Sequence, residues 1–173
     1  MKLARTLVCT TVASPLGPLL LAASEQGLAG LWFDDQQHHP DTYAVASWTI
    51  DPDHPVLRRA ARQLHAYFSG EASPFDLPLD LSAGTAFQQA VWRALLTIPS
   101  GHTASYGQIA QACGRASAMR AVGAAIGRNP VGIVVPCHRV LGAGGALTGY
   151  AGGLPRKSAL LRLEGVSINE LAQ

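Results

Sequence analysis

The ten residues IVVPCHRVLG, from Ile133 to Gly142, set a cysteine, a histidine and an arginine in a row directly behind a proline. An ordinary cysteine titrates near ~8.5, so only a few per cent is thiolate at neutral pH. To act as a nucleophile, Cys137 needs a base, a positive setting or a helix amino terminus; His138 and Arg139 could supply the first two. Adjacency alone proves nothing, because consecutive side chains of a strand point to opposite faces. Pro136 disrupts a ladder and fixes a turn, where the two side chains can converge or share a bridging water. The competing reading is a small buried cysteine beside an unrelated histidine.

A histidine base needs a third group to hold its tautomer. No carboxylate occurs between Asp80 and Glu164, and after Glu164 only Glu170 remains. Glu164 follows SALLRL at the carboxy-terminal end of an expected helix, where the macrodipole disfavours an acid. That placement makes Glu164 the candidate to orient His138, against the alternative of an ordinary exposed glutamate.

The elements that must position these groups fall into two halves. In the first, RTLVCTTV, LLLAA and LAGLWF are short apolar runs separated by the turn-forming SPLGP and SEQG, which predicts strands. DDQQHHPDTY breaks the pattern as a polar loop. HPVLRRAARQLHAYFSG predicts a helix with Leu57, Leu64 and Phe68 on one face and Gly70 past its end. FDLPLDL is a short extended segment leading to a boundary at Ser82–Gly84, so the expected domains are residues 1–81 and 82–173.

The second half is mostly helical. TAFQQAVWRALLTI carries Phe87, Val91 and Leu95 on one stripe. Ser105 followed by Gln108 is a capping-box pattern opening a brief helix to Gly114, and AMRAVGAAIG follows after GRAS. Two short helices joined by a glycine-containing turn resemble a helix-turn-helix, an arrangement also common in plain bundles. The second helix offers Arg120 and otherwise small or apolar residues, among them Ala121, Gly123 and Ala124. Reading base edges takes several hydrogen-bonding side chains, so this face suits close approach to DNA without a sequence code. A helix-packing face is the alternative.

Charge supports a polyanion partner. Residues 1–81 carry five basic and nine acidic side chains; residues 82–173 carry eight basic and two acidic ones. A positive field over half a small protein is what a polyanion-binding surface requires, chance imbalance being the bland reading. The same split suggests ion pairing between the halves, with Arg139 as one candidate. At 48% hydrophobic and 14% charged the chain is not disordered, and no run reaches the roughly 18 apolar residues of a spanning helix. MKLARTLVCTTVASP does not read as a signal peptide, and three dispersed cysteines make neither a disulfide framework nor a metal motif, so a cytoplasmic setting is expected.

SYGQIA, RAVGAAIGRNP, IVVPCHRVLG, GYAGG and LLRLEG, in this order and spacing, resemble the O6-alkylguanine-DNA alkyltransferases (methylated-DNA–protein-cysteine methyltransferases) over residues 82 to 166. The elements and the resemblance together imply an α+β fold, a small β-rich amino-terminal domain followed by a mostly helical winged helix-turn-helix-like domain. The resemblance implies that Cys137 accepts the alkyl group, with His138 acting through a water and Glu164 behind it. Tyr106 corresponds to a tyrosine that crowds the phosphate beside the lesion and donates a proton toward the guanine. Arg120 corresponds to an arginine finger that enters the stack in place of the damaged nucleotide. Asn129 corresponds to an asparagine bracing the turn, while Tyr150 and the backbone around Val140 and Ala151 would line the pocket for the extruded base. The implied substrate is O6-alkylguanine in double-stranded DNA, with O4-alkylthymine as a second one. Little sequence preference, a single turnover and no cofactor are expected, from a monomer that could cluster along DNA.

Departures from the family pattern are visible. Ala116 and Ser117 replace a Pro-Lys pair between the two short helices, and Gly132 stands where some relatives place a proline over the pocket. Some relatives bind zinc through two cysteines and two histidines of the first domain. Cys9 is the only cysteine before residue 100, so no metal is expected, and His38 and His39 read as a solvated loop. Cys9 and Cys113 are expected to be small buried residues. Three alternatives compete with alkyl transfer: a lesion-binding, alkyltransferase-like protein, a helix-turn-helix regulator, and a cysteine hydrolase. The first is disfavoured by the presence of Cys137, the second by the scarcity of base-reading groups, and the third by the lack of any sign of an acyl substrate.

Overall fold

SPLGP and SEQG fold the start of the chain back on itself twice. In the computed structural model, which describes residues 6–71 and 73–168, strands β1 (Val8–Val12), β2 (Leu19–Ser24) and β3 (Gly27–Phe33) form an antiparallel meander. A two-residue strand, β4 (Thr49–Ile50), adds parallel to β1, giving the order β3-β2-β1-β4. Glu170 lies outside the described residues. β2 and β3 are buried almost throughout, the pattern of strands covered on both faces. One cover is helix α2 (Pro55–Phe68), whose buried stripe is Leu57, Ala60, Leu64 and Tyr67. Tyr67 takes the place the sequence suggested for Phe68, which is only half-buried. A cluster of Cys9, Leu20, Ala22 and Trp32 also packs with Val45 and Trp48, and the indoles of Trp32 and Trp48 stack at 6.0 Å.

The expected polar loop is partly structured. Asp41 caps a short helix, α1 (Thr42–Ala46), accepting from the Tyr43 N–H. His39 is half-buried, 6.3 Å from the Trp32 ring, with Nε2 enclosed, so only His38 behaves as solvated. FDLPLDL crosses the start of β3, where the Leu28 N–H donates to Pro78 O and the Asp80 N–H to Leu28 O. A Cβ on Gly27 would lie 2.4 Å from Pro78 O, and its φ of +148° admits only glycine comfortably.

The chain divides into two units, one ending at Ala83 and the other beginning at Gly84. The second unit opens with α3 (Ala86–Leu95), started by a reciprocal capping box between Thr85 and Gln88. After β5 (Ala104–Ser105), the same device between Ser105 and Gln108 starts α4 (Tyr106–Ala112). α5 (Met119–Gly127) follows, and Val91, Leu95, Ile109, Val122, Ala125 and Ile126 bury the seams among these three helices. The Trp92 indole N–H donates to Ala125 O at 2.8 Å, so a carbonyl at the end of α5 that also accepts from the Arg128 N–H gains a second partner from α3. The two-residue strand β6 (Val140–Leu141) pairs parallel with β5, and α6 (Leu154–Leu163) closes the unit. The result is a small sheet domain followed by a mostly helical, winged helix-turn-helix-like one.

Candidate active site

The segment from α5 to β6 is built of tight turns rather than extended strand. Ile133 has φ +68°, rare for a β-branched residue, and the Val134 N–H reaches back to Gly132 O at 2.7 Å. Pro136 then sits at φ −84°, ψ 64°, the centre of a second three-residue turn closed by the Cys137 N–H on Val135 O. Cys137–Arg139 form a single 3₁₀ turn. Strain of this kind persists only where the surroundings over-determine it. Asn129 does so here: its Oδ1 accepts from the Val131 N–H, while Nδ2 donates to Val135 O at 2.8 Å and to Cys137 Sγ at 3.1 Å.

Cys137 is 8% exposed, and burial pushes its thiol up. The Asn129 amide, the Lys157 charge and the backbone N–H groups of Cys137 and His138 pull the other way. His138 is fully buried. Its Nε2 lies 2.8 Å from Glu164 Oε1, and its Nδ1 is enclosed and bonds no protein atom. Burial opposes ionisation of Glu164, but hydrogen bonds and charge from His138 and Arg139 hold its carboxyl down at about 2. An ionised carboxylate only accepts, so Nε2 carries the imidazole proton and Nδ1 presents a lone pair. Burial in turn pushes the His138 imidazole down against the Glu164 hydrogen bond and charge, which pull it up, with the Arg139 and Lys157 charges adding to the downward push. The hydrogen bond to Glu164 thus fixes the tautomer of the His138 imidazole next to Cys137 in the chain.

Arg139 departs from expectation. Instead of reaching toward the acidic first half, it binds Glu164 in its own unit, Nε to Oε2 at 2.8 Å and Nη2 to Oε1 at 2.9 Å. Its Nη1 donates to Ile98 O at 2.6 Å.

Lys157 is the residue sequence reasoning missed. It is fully buried, and Nζ donates to Val140 O at 2.5 Å, Thr148 O at 2.8 Å and Gly149 O at 3.0 Å. Burial lowers its ammonium to about 8. The signal was the spacing: Lys157, Leu160, Leu161 and Glu164 recur at helical intervals, which puts the lysine on the core face of α6.

Tyr106 opens α4, half-buried, with its hydroxyl donating to Thr148 O at 3.3 Å. Burial raises its phenol; the bond to Thr148 opposes this, and the neighbouring Cys137 adds to it. Val140 is buried in β6 beside the turn, while Tyr150 and Ala151 are half-buried in the segment that leads to α6. On α5, Arg120, Ala121 and Ala124 are exposed, and a Cβ on Gly123 would stand 3.8 Å from the Tyr106 ring. The small face of α5 is thus open at Ala121 and Ala124 rather than consumed in packing. Cys9 is buried as expected; Cys113, the last residue of α4's cap, is only half so.

A sheet domain followed by a winged helix-turn-helix domain, with a buried cysteine directly before a histidine that pairs with a carboxylate, defines a class of DNA-binding protein that carries its own thiol chemistry. Residues 86–166 match the family described as 6-O-methylguanine DNA methyltransferase, DNA binding domain, and residues 7–81 its ribonuclease-like domain. The chain belongs to the 6-O-methylguanine DNA methyltransferase family. It is 53% identical over 154 residues to the methylated-DNA–protein-cysteine methyltransferase of Mycobacterium tuberculosis, covering 89% of this chain and 90% of that one. The Methanosarcina acetivorans protein of the same name is 50% identical over 152 residues, 88% and 94% of the two chains. The structure of M. tuberculosis OGT in complex with DNA superposes with a TM-score of 0.81 at 52% identity, covering 91% of this chain and 92% of that one.

Proposed function

We infer that the protein is a direct-reversal DNA repair methyltransferase that moves the alkyl group of O6-alkylguanine in DNA onto Cys137, once per molecule. The observation that carries this reading is the Cys137–His138–Glu164 arrangement: a buried thiol, and an imidazole whose only proton faces a carboxylate. Residues 82–173 bind the duplex and hold the acceptor. The exposed α5 face, with Arg120 and small neighbours, approaches the groove with little sequence preference. Arg120 fills the stack while the damaged nucleotide swings out, at a cost of about a few kcal/mol.

The chemistry follows from the tautomer. Nδ1 of His138 takes the thiol proton through a bridging water. The sulfur attacks the alkyl carbon, the carbon–O6 bond breaks, and its electron pair leaves with the guanine. Tyr106 supplies the proton that makes guanine a neutral leaving group, and is restored by the imidazolium or solvent. Asn129 holds the sulfur on line, and Val140, Tyr150 and Ala151 flank the base. O4-alkylthymine presents the same alkyl–oxygen linkage and is a second substrate. The product is an S-alkyl thioether, inert to the groups around it, so turnover stops at one. The protein acts as a monomer in the cytoplasm, where its thiols stay reduced.

DNA carrying radiolabelled O6-methylguanine tests this. One label per protein molecule is expected, none with Cys137→Ala; catalytic release of label or no transfer rejects the reading.

A further inference from the structure

The open side of α5 is smooth except where the helix begins. Ala121, Gly123 and Ala124 give it almost no relief, while Met119 and Arg120 project from its first turn. Met119 is 54% exposed, more than any other large apolar side chain of the second unit among the described residues. It adds little to the buried seam, which Val122, Ala125 and Ile126 fill. Its thioether runs along α4 instead: a Cβ added at Gly107 would stand 3.8 Å from the Met119 sulfur. One residue before Gly107, the Tyr106 ring lies 3.8 Å from a Cβ added at Gly123. Met119, the adjoining Arg120 and Tyr106 thus gather at one end of the α4–α5 pair. We propose that Met119 is a second extrusion residue, an apolar wedge that packs on the base step left open when Arg120 replaces the damaged nucleotide. The inference rests on the repair reading, which supplies the open step.

The setting of Met119 is that of a polyanion-binding surface. Arg115, Arg120 and Arg128 are exposed before, within and at the end of α5, and no carboxylate occurs between Asp80 and Glu164. On such a surface guanidinium groups answer the phosphates, and an exposed thioether answers the apolar faces of the bases. When a nucleotide swings out, the bases on either side lose a stacking partner and turn those faces to water. Proteins that hold a base step apart do so with an inserted apolar side chain, methionine among them. An unbranched, polarizable thioether adapts to any base, since every base has a π-face. The wedge therefore adds affinity without adding a sequence code, in keeping with the small residues along the rest of α5. Met119 and Arg120 diverge by about 100° around the helix, so both reach the step without competing for one position.

The test compares the full chain as wild type, M119A, M119Q and M119L on duplex DNA carrying O6-methylguanine with 2-aminopurine as its neighbour. Stopped-flow mixing reads the rise in 2-aminopurine fluorescence that precedes transfer, and its dependence on protein concentration gives the affinity of the opened complex. The titration is repeated at several salt concentrations. M119A and M119Q should weaken the opened complex about tenfold, the worth of burying one methionine side chain. The slope of log affinity against log salt should not change, because no phosphate contact is lost. M119L, apolar and of similar volume, should stay within about twofold of wild type. An opened complex as tight in M119A as in wild type, M119Q matching M119L, or a salt slope that moves with the substitution would each overturn the proposal. A methionine that merely braces the α4–α5 turn lowers the melting temperature and leaves the opened complex as tight as before. None of these readouts needs transfer, so a wild type that opens the step but passes no label to Cys137 sinks the repair reading and leaves this one standing. Intact transfer, with unstacking indifferent to the side chain at position 119, sinks this one alone.

Discussion

Asn129 makes more of the site than its size suggests, since one amide braces two tight turns and touches the reactive sulfur. Truncating it orphans the Val131 N–H in a buried segment, at roughly 1–3 kcal/mol, and leaves the Val135 carbonyl with the Cys137 N–H alone. Asn129→Ala should therefore lower the urea midpoint by the equivalent of about 1–3 kcal/mol and cut single-turnover transfer at least ~10-fold. DNA affinity should hold, because the exposed face of α5 is untouched. Equal losses of transfer and affinity would move Asn129 out of the site. At this scale the sequence was legible where residues are scarce: in a half almost free of acids, Glu164 was the natural partner for His138. It was illegible where partners are inferred from bulk charge. The surplus of acids in the first half pointed Arg139 away from its own unit, whereas a bidentate bond needs one correctly placed carboxylate, not many distant ones.

Elements differ in how loudly they announce themselves. Strands β1 to β3, helix α2 and the Ser105–Gln108 capping box were readable because each repeats a pattern or closes it with a specific side-chain bond. α1, with five residues and no buried one, has no periodicity to detect, and only the Asp41 cap marks it. β4, β5 and β6 are two residues each and exist through pairing partners distant in sequence. α5 is the element on which function depends most directly. Val122, Ala125 and Ile126 bury one side, so the exposed side can be small without loss of stability. Arg120 is the one long polar side chain on that exposed side of α5. Arg120→Ala should slow repair of O6-methylguanine in duplex DNA at least ~10-fold, the penalty of unstacking a base unaided being a few kcal/mol. Transfer from the free base O6-methylguanine should fall less than ~2-fold, since no flipping is involved. Parallel losses on the two substrates would contradict a role in extrusion.

The whole molecule separates its charges along the chain, and it concentrates buried ionisable groups in one half. Cys9, Tyr67 and Asp80 apart, the buried ionisable side chains among the described residues lie in the second unit: Cys137, His138, Arg139 and Lys157, with the Glu164 carboxylate enclosed beside them. Stability should therefore depend on pH through this cluster. His138 has a folded value below its ordinary 6.5, so the unfolded chain binds more protons below that pH and stability falls on acidification from there. Glu164 has a folded value of about 2 against an ordinary 4.5, so its contribution is complete above that ordinary value and is lost as pH falls toward 2. Both act in the same direction, and the Glu164 part is on the order of 3 kcal/mol. Urea unfolding of wild type and Glu164→Gln at a series of pH values reads this directly. At neutral pH the variant should be the weaker by several kcal/mol, because Arg139 is left buried without its counter-charge. As pH falls below 4.5 the wild type should lose that advantage and the two curves should converge. Curves that stay parallel down to the acid limit would mean that Glu164 is not held ionised by its neighbours, and the tautomer of His138 would lose its cause.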